Sequence, residues 1–136
     1  MPGYEETLVK AVWLMIHIDD SAGGTNKIEL EVLDRLGSVE NIPAGMKDEA
    51  MKAAESLMMT GKNALRDHVA ELLTTERYGR KCRAIAWMKR AALAYKGVNH
   101  DEEALLDFMR GRFSIDWGDV TDYDAMIAKE VSGQKR

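Results

Sequence analysis

Between Ala44 and Arg136 the chain contains no proline, and its only two, Pro2 and Pro43, lie well before its middle. Proline removes a backbone donor and clashes with the preceding turn, so its absence leaves most of the chain free to be helical. Apolar residues recur every three to four positions throughout, while no run alternates apolar and polar residues with β-branched enrichment. The pattern predicts helices at 4–19, 26–36, 43–60, 63–76, 79–96 and 99–110, with a short one near 121–131. The fold class is all-α, a compact bundle of six to seven helices. At 136 residues, 46% hydrophobic and 31% charged, the chain is long enough for one domain with a real core and too apolar to be disordered throughout. We expect one domain over 1–136, in which 114–136 forms a C-terminal extension with a short helix and a frayed end.

Local chemistry supports these boundaries. Asn26-x-x-Glu29 and Asn99-x-x-Glu102 have the spacing of capping boxes, in which Asn accepts an orphan backbone N–H and Glu returns a bond to the cap residue. Pro43 suits the start of the third helix, and Gly61 and Gly97 sit where the left-handed residue after a helix is usually a glycine. Thr121-x-x-Asp124 is a weaker start signal. Each helix has a core face: Ile28, Val32, Leu33 and Leu36 in the second, Leu65, Val69, Leu72 and Leu73 in the fourth, Cys82, Ile85, Ala86, Met88, Ala92 and Leu93 in the fifth. The first helix, with its apolar run from Ala11 to Ile18, is apolar on nearly every side and reads as the central one. The nine methionines are scattered over most helices and read as core filler.

Several classes are disfavoured. The run at Ala11–Ile18 is far shorter than the ~20 residues a membrane span needs, and Tyr4-Glu5-Glu6 puts acids where a signal peptide carries basic residues. Cys82 is the one cysteine, so no internal disulfide is expected and a reducing, cytoplasmic setting fits. No Gly-x-Ser-x-Gly, phosphate-binding glycine loop or nucleophile–base set is present, and no catalytic activity is expected. Cys82 lies in a basic helix, which would favour its thiolate, but its spacing places it on the apolar face, where it is inert.

The chain contains an internal repeat. Gly24-Thr-Asn26-Lys-Ile-Glu29-Leu-Glu-Val32-Leu33 and Gly97-Val-Asn99-His-Asp-Glu102-Glu-Ala-Leu105-Leu106 share Gly, Asn, Glu and Leu at identical offsets, and each follows a long apolar helix, with Trp13 in the first and Trp87 in the second. Two such helical hairpins can pack about a pseudo-two-fold axis. These paired turns, and above all the segment from Ala84 to Leu106, resemble TerB-like domains associated with tellurite resistance, over roughly residues 4–113. The resemblance implies an all-α fold of two pseudo-symmetric halves. It also implies a non-enzymatic role as a cytoplasmic partner in stress-response complexes, some of them at the inner face of the membrane. The chain departs from that pattern at the second turn, where Lys96 stands in place of an acid, and at the first, which is longer. If the acidic turns of such domains hold a ligand, only the first keeps that chemistry here.

That first turn holds Asp19, Asp20, Asn26 and Glu29, with Glu31 close by, and hard oxygen ligands of this kind suit calcium or magnesium. Asp19, Asp20 and Glu29 are the candidate metal ligands, and a divalent-metal-binding or sensing domain built on 19–31 is the alternative function. An EF-hand does not fit, since its fifth and twelfth positions would be Gly23 and Leu30, and a plain solvated acidic loop outweighs the metal reading. His17, three residues before Asp20, reads first as a core histidine and second as a ligand. His68 and His100 are assigned surface roles.

Charge is unevenly distributed. Arg77 to Lys96 carries seven Lys/Arg and no acid, a local +7 in a chain of net charge −4, which leaves −11 for the rest. On a helical wheel at 100° per residue Arg80, Arg83, Trp87 and Arg90 fall within about 80° of one another, a candidate partner-binding stripe. Pairing with acids of the same chain, among them those of Asp101–Asp124, is the plain reading; an acidic protein partner or a membrane surface comes next. Nucleic acid comes last and is not expected, because the chain is acidic overall and shows no helix-turn-helix signature.

Overall fold

Helix α1 (Tyr4–His17) needs cover on all sides and has it, with Leu8, Val9, Ala11, Val12, Leu14 and Met15 fully buried. The computed structural model describes residues 3–18, 27–94 and 99–134. Among these, the rest of the chain forms α2 (Lys27–Val39), α3 (Ala44–Thr60), α4 (Lys62–Thr74), α5 (Tyr78–Leu93), α6 (His100–Phe113) and α7 (Trp117–Gln134), with no strand. The fold is an all-α bundle of seven helices over the described residues. It has two hubs: α1 packs against α2, α3, α4 and α5, and α5 packs against α1, α2, α6 and α7. Each hub therefore carries the helix that follows it, α2 on α1 and α6 on α5, and the two hubs lie against each other. None of these helices is long and apolar enough to cross a membrane.

The boundaries have local causes. At α6, Asn99 Oδ1 accepts from the Glu102 N–H at 2.9 Å and Glu102 Oε1 accepts from the Asn99 N–H at 3.0 Å, a complete capping box. Its counterpart at Asn26, and Gly97, lie outside the described residues. Helix α2 runs past Gly37 to Val39, three residues beyond the sequence reading, because one helical glycine costs only about 1 kcal/mol and does not end a helix. The stop comes at Asn41, in the left-handed region at φ 57°, with the Ile42 N–H bonded to the Gly37 carbonyl at 2.8 Å just before Pro43. Between α3 and α4 a single residue, Gly61, ends one helix and begins the next at φ 151°, ψ 147°. The left-handed stop expected from the sequence is not what Gly61 adopts: its φ is positive, but in an extended region open to glycine rather than the left-handed helical one.

The C-terminal segment differs most from expectation. Instead of a short helix near 121–131, α7 spans Trp117–Gln134 and buries Val120 and Ile127 completely, so this segment belongs to the core that α5 organises. Burying each such side chain contributes about 1.5–3 kcal/mol. The start signal is Asp116, whose Oδ1 accepts from the Gly118 N–H at 2.7 Å. Thr121, the expected cap, lies inside the helix with its Oγ1 donating back to the Trp117 carbonyl at 3.0 Å. A clamp holds this end to α5: Tyr78 Oη donates to Asp119 Oδ2 at 2.6 Å and accepts from the Asp116 N–H at 3.2 Å. The Asp116 bond is the largest single influence and lowers the Tyr78 pKa, but the Asp119 carboxylate, desolvation and Cys82 together outweigh it, and the pKa is pushed up to about 12.

Candidate functional site

The basic face of α5 meets acids from three other parts of the chain. Arg83 donates from Nε to Glu40 Oε2 at 2.7 Å and from Nη2 to Glu130 Oε2 at 3.0 Å. Trp87, 1% exposed, donates its indole Nε1–H to the same Glu40 oxygen at 2.8 Å. Arg90 Nη1 reaches Asp124 Oδ1 at 3.0 Å, and Arg80 Nη1 reaches Glu76 Oε1 at 3.3 Å. Arg80 also covers the Tyr4 ring at 4.8 Å, while Tyr4 Oη donates to the Arg80 carbonyl at 2.7 Å. Burial, and then the Glu40 charge, push the Tyr4 pKa well above its usual value.

All four sequence-predicted stripe residues are thus engaged within the domain, Arg80 least, with its side chain 57% exposed. Glu40 is the centre of the arrangement. It follows α2 directly, and the helix stop at Asn41–Pro43 fixes the direction in which it leaves. One of its oxygens takes two N–H donors, and the side chains of Glu40 and Arg83 are only 13% and 15% exposed. Burial works against the Arg83 charge, but the Glu40 hydrogen bond and the Glu40 and Glu130 carboxylates outweigh it and raise its pKa. Two of the acids, Asp124 and Glu130, stand on α7, so their ion pairs tie α7 to α5, and Glu40 ties the end of α2 to α5.

Beside this knot a cleft of about 430 Å³ opens between α2, α5 and α7. Val32 and Arg35 line it from α2, Trp87, Arg90 and Leu93 from α5, and Asp124 and Val131 from α7. Leu93, expected in the core, is 53% exposed at its edge. On the opposite flank of α5 cations lie over aromatic rings: Lys81 over Phe113 at 5.0 Å, and Lys89, with Arg110 from α6, over Trp117 at 5.7 and 5.8 Å.

No family model, curated protein or solved structure matches this chain.

The other candidates divide between described and undescribed positions. Asp19, Asp20 and the side chain of Glu29 lie outside the described residues. His17 is buried and stacked near Trp13, ring centroids 4.0 Å apart. Cys82 is fully buried, and burial pushes its thiol pKa up, against the lowering effect of Tyr78, so the thiolate is disfavoured. His68 has a role that spacing did not suggest: its Nε2 lies 3.2 Å from the Nζ of Lys10, a residue only 5% exposed. No carboxylate of the described residues pairs with that ammonium, and burial together with the Lys10 charge lowers the His68 pKa. Sequence reasoning also missed Glu40 and Arg35. The excess of positive charge on α5 implies acidic partners, and the acid-rich run at Asp101–Asp124 supplies one of them, Asp124, whereas Glu40 stands alone at a helix end outside any acidic run.

Proposed function

We propose that this chain is a non-enzymatic binding or scaffold module of the TerB-like kind, serving a cytoplasmic bacterial stress-response complex of the tellurite-resistance type, in some settings at the inner face of the membrane. The observation that carries the binding role is the α2/α5/α7 cleft. Its floor is a buried indole, its walls are cross-tied by Arg83 and Arg90 to acids on two other segments, and Leu93 stands exposed at its edge. A preformed concave site with rigid walls lowers the ordering cost of binding, which suits a docking module. The cellular process is supported by the resemblance of the Gly97–Leu106 turn and its preceding helix to TerB-like domains.

The test is site-specific photo-crosslinking of the full chain in its native host. With p-benzoylphenylalanine replacing Leu93, the expected result is a discrete protein adduct that is missing when the same group replaces Met59, which is 83% exposed on α3. Adducts indistinguishable between the two positions would defeat the binding-module reading.

A further inference from the structure

The cleft presents more hydrogen-bond donors than its own acids use. Each guanidinium has five N–H donors, and in the cleft Arg90 directs Nη1 at Asp124. Arg35, half-buried on α2, has no carboxylate of the described residues within ion-pair distance. Glu31, one turn before it, is exposed at the lip and makes no ion pair with it. Val32, Leu93 and Val131 line the same cleft as the two arginines. Such a site complements a carboxylate that carries an apolar neighbour: Arg holds a carboxylate bidentately, and the apolar wall rewards the adjacent side chain. It does not suit a nucleobase, because the Trp87 ring is buried and its N–H is already bonded to Glu40, so no aromatic face is offered for stacking.

From this complementarity we infer that the α2/α5/α7 cleft binds an acidic peptide segment of a protein partner. Arg35 takes a carboxylate of that segment, Arg90 supports it, and an apolar side chain next to the acid packs on Leu93, Val32 and Val131. The inference rests on the binding-module reading and gives it a ligand chemistry.

The full chain, labelled with ¹⁵N, is titrated with three short capped peptides, one of leucine and aspartate, one of leucine and lysine, and one of leucine and serine. The expected result is amide shifts centred on Val32, Leu93 and Val131 with the aspartate peptide alone. Arg35→Glu should weaken that binding by at least about tenfold and gain affinity for the lysine peptide; Arg35→Gln should lose the first without gaining the second. The pair keeps the test decisive where charge reversal unfolds the chain, which a thermal melt reports. Equal response to all three peptides, aspartate-peptide binding that survives Arg35→Gln, or shifts mapping elsewhere would overturn the inference. So would phosphatidylserine vesicles moving these amides while the peptides do not, which would reassign the cleft to a lipid headgroup. A crosslink retained at position 93 with a silent aspartate peptide refutes only the carboxylate chemistry, whereas loss of the crosslink refutes the module itself.

Discussion

At the scale of single residues, the Glu40 carboxylate and the Lys10–His68 contact are the places where a change of a few atoms has the largest consequence. Glu40→Ala leaves a buried guanidinium with one acid instead of two and a buried indole N–H with none. Removing one member of a buried pair costs about 3 kcal/mol, so denaturant unfolding should show a loss of that order, with the Trp87 indole proton resonance displaced. For His68 the sign follows from the lowered pKa. The unfolded chain takes up a proton near the ordinary value of 6.5, the folded one only at lower pH, where an imidazolium would face the Lys10 ammonium 3.2 Å away. The stability that neutral His68 provides is complete above about 6.5 and is lost as pH falls through its folded pKa. Since His68 is partly exposed, the effect is modest. His68→Gln keeps an acceptor for Lys10 without titrating, and thermal melts across that window should be flatter for this variant than for the parent.

At the scale of elements, caps and junctions govern where helices begin and end. Asp116→Ala should cost about 1 kcal/mol and speed amide exchange in the first turn of α7, whereas Thr121→Ala, which removes only a back-bond to the Trp117 carbonyl, should leave both nearly unchanged. Gly61→Ala should destabilise by about 1–3 kcal/mol through its backbone angles alone, because a Cβ there would meet nothing within 4 Å. Helix identity was legible because it depends on short-range periodicity, and the Asn99 box because all its atoms lie within three residues. The start of α7 was misread since Thr121-x-x-Asp124 and Asp116-x-Gly118 are both acceptable local signals. Their choice is made by tertiary packing: extending the helix back to Trp117 brings Val120 into the core and Asp119 to Tyr78.

At the scale of the whole molecule, the mild net charge of −4 results from sorting. The sequence showed an excess of cations on one helix and an excess of acids elsewhere; it did not show that Glu40, Asp124 and Glu130 converge on one face of α5, because that convergence spans up to 47 residues of chain. Arg35 was invisible for the same reason, since an ordinary surface arginine becomes a candidate only when a cleft forms around it. Truncation after Ser114 should therefore do more than remove a tail. It takes away the partners of Arg90 and half those of Arg83 and uncovers the surface that Val120 and Ile127 pack on. The shortened chain should bind a hydrophobic dye and lose its cooperative melt.

The α3–α4 junction carries a different kind of information. One residue separates helices of 17 and 13 residues, and its backbone angles admit glycine and little else. Distant descendants of a common ancestor can exchange nearly every side chain in both helices for another of similar size, yet any residue other than glycine at the junction is strained through its backbone angles. A solitary glycine flanked by two amphipathic runs of these lengths is accordingly the mark by which remote kin of this chain should be recognised after the rest of their sequences have drifted apart.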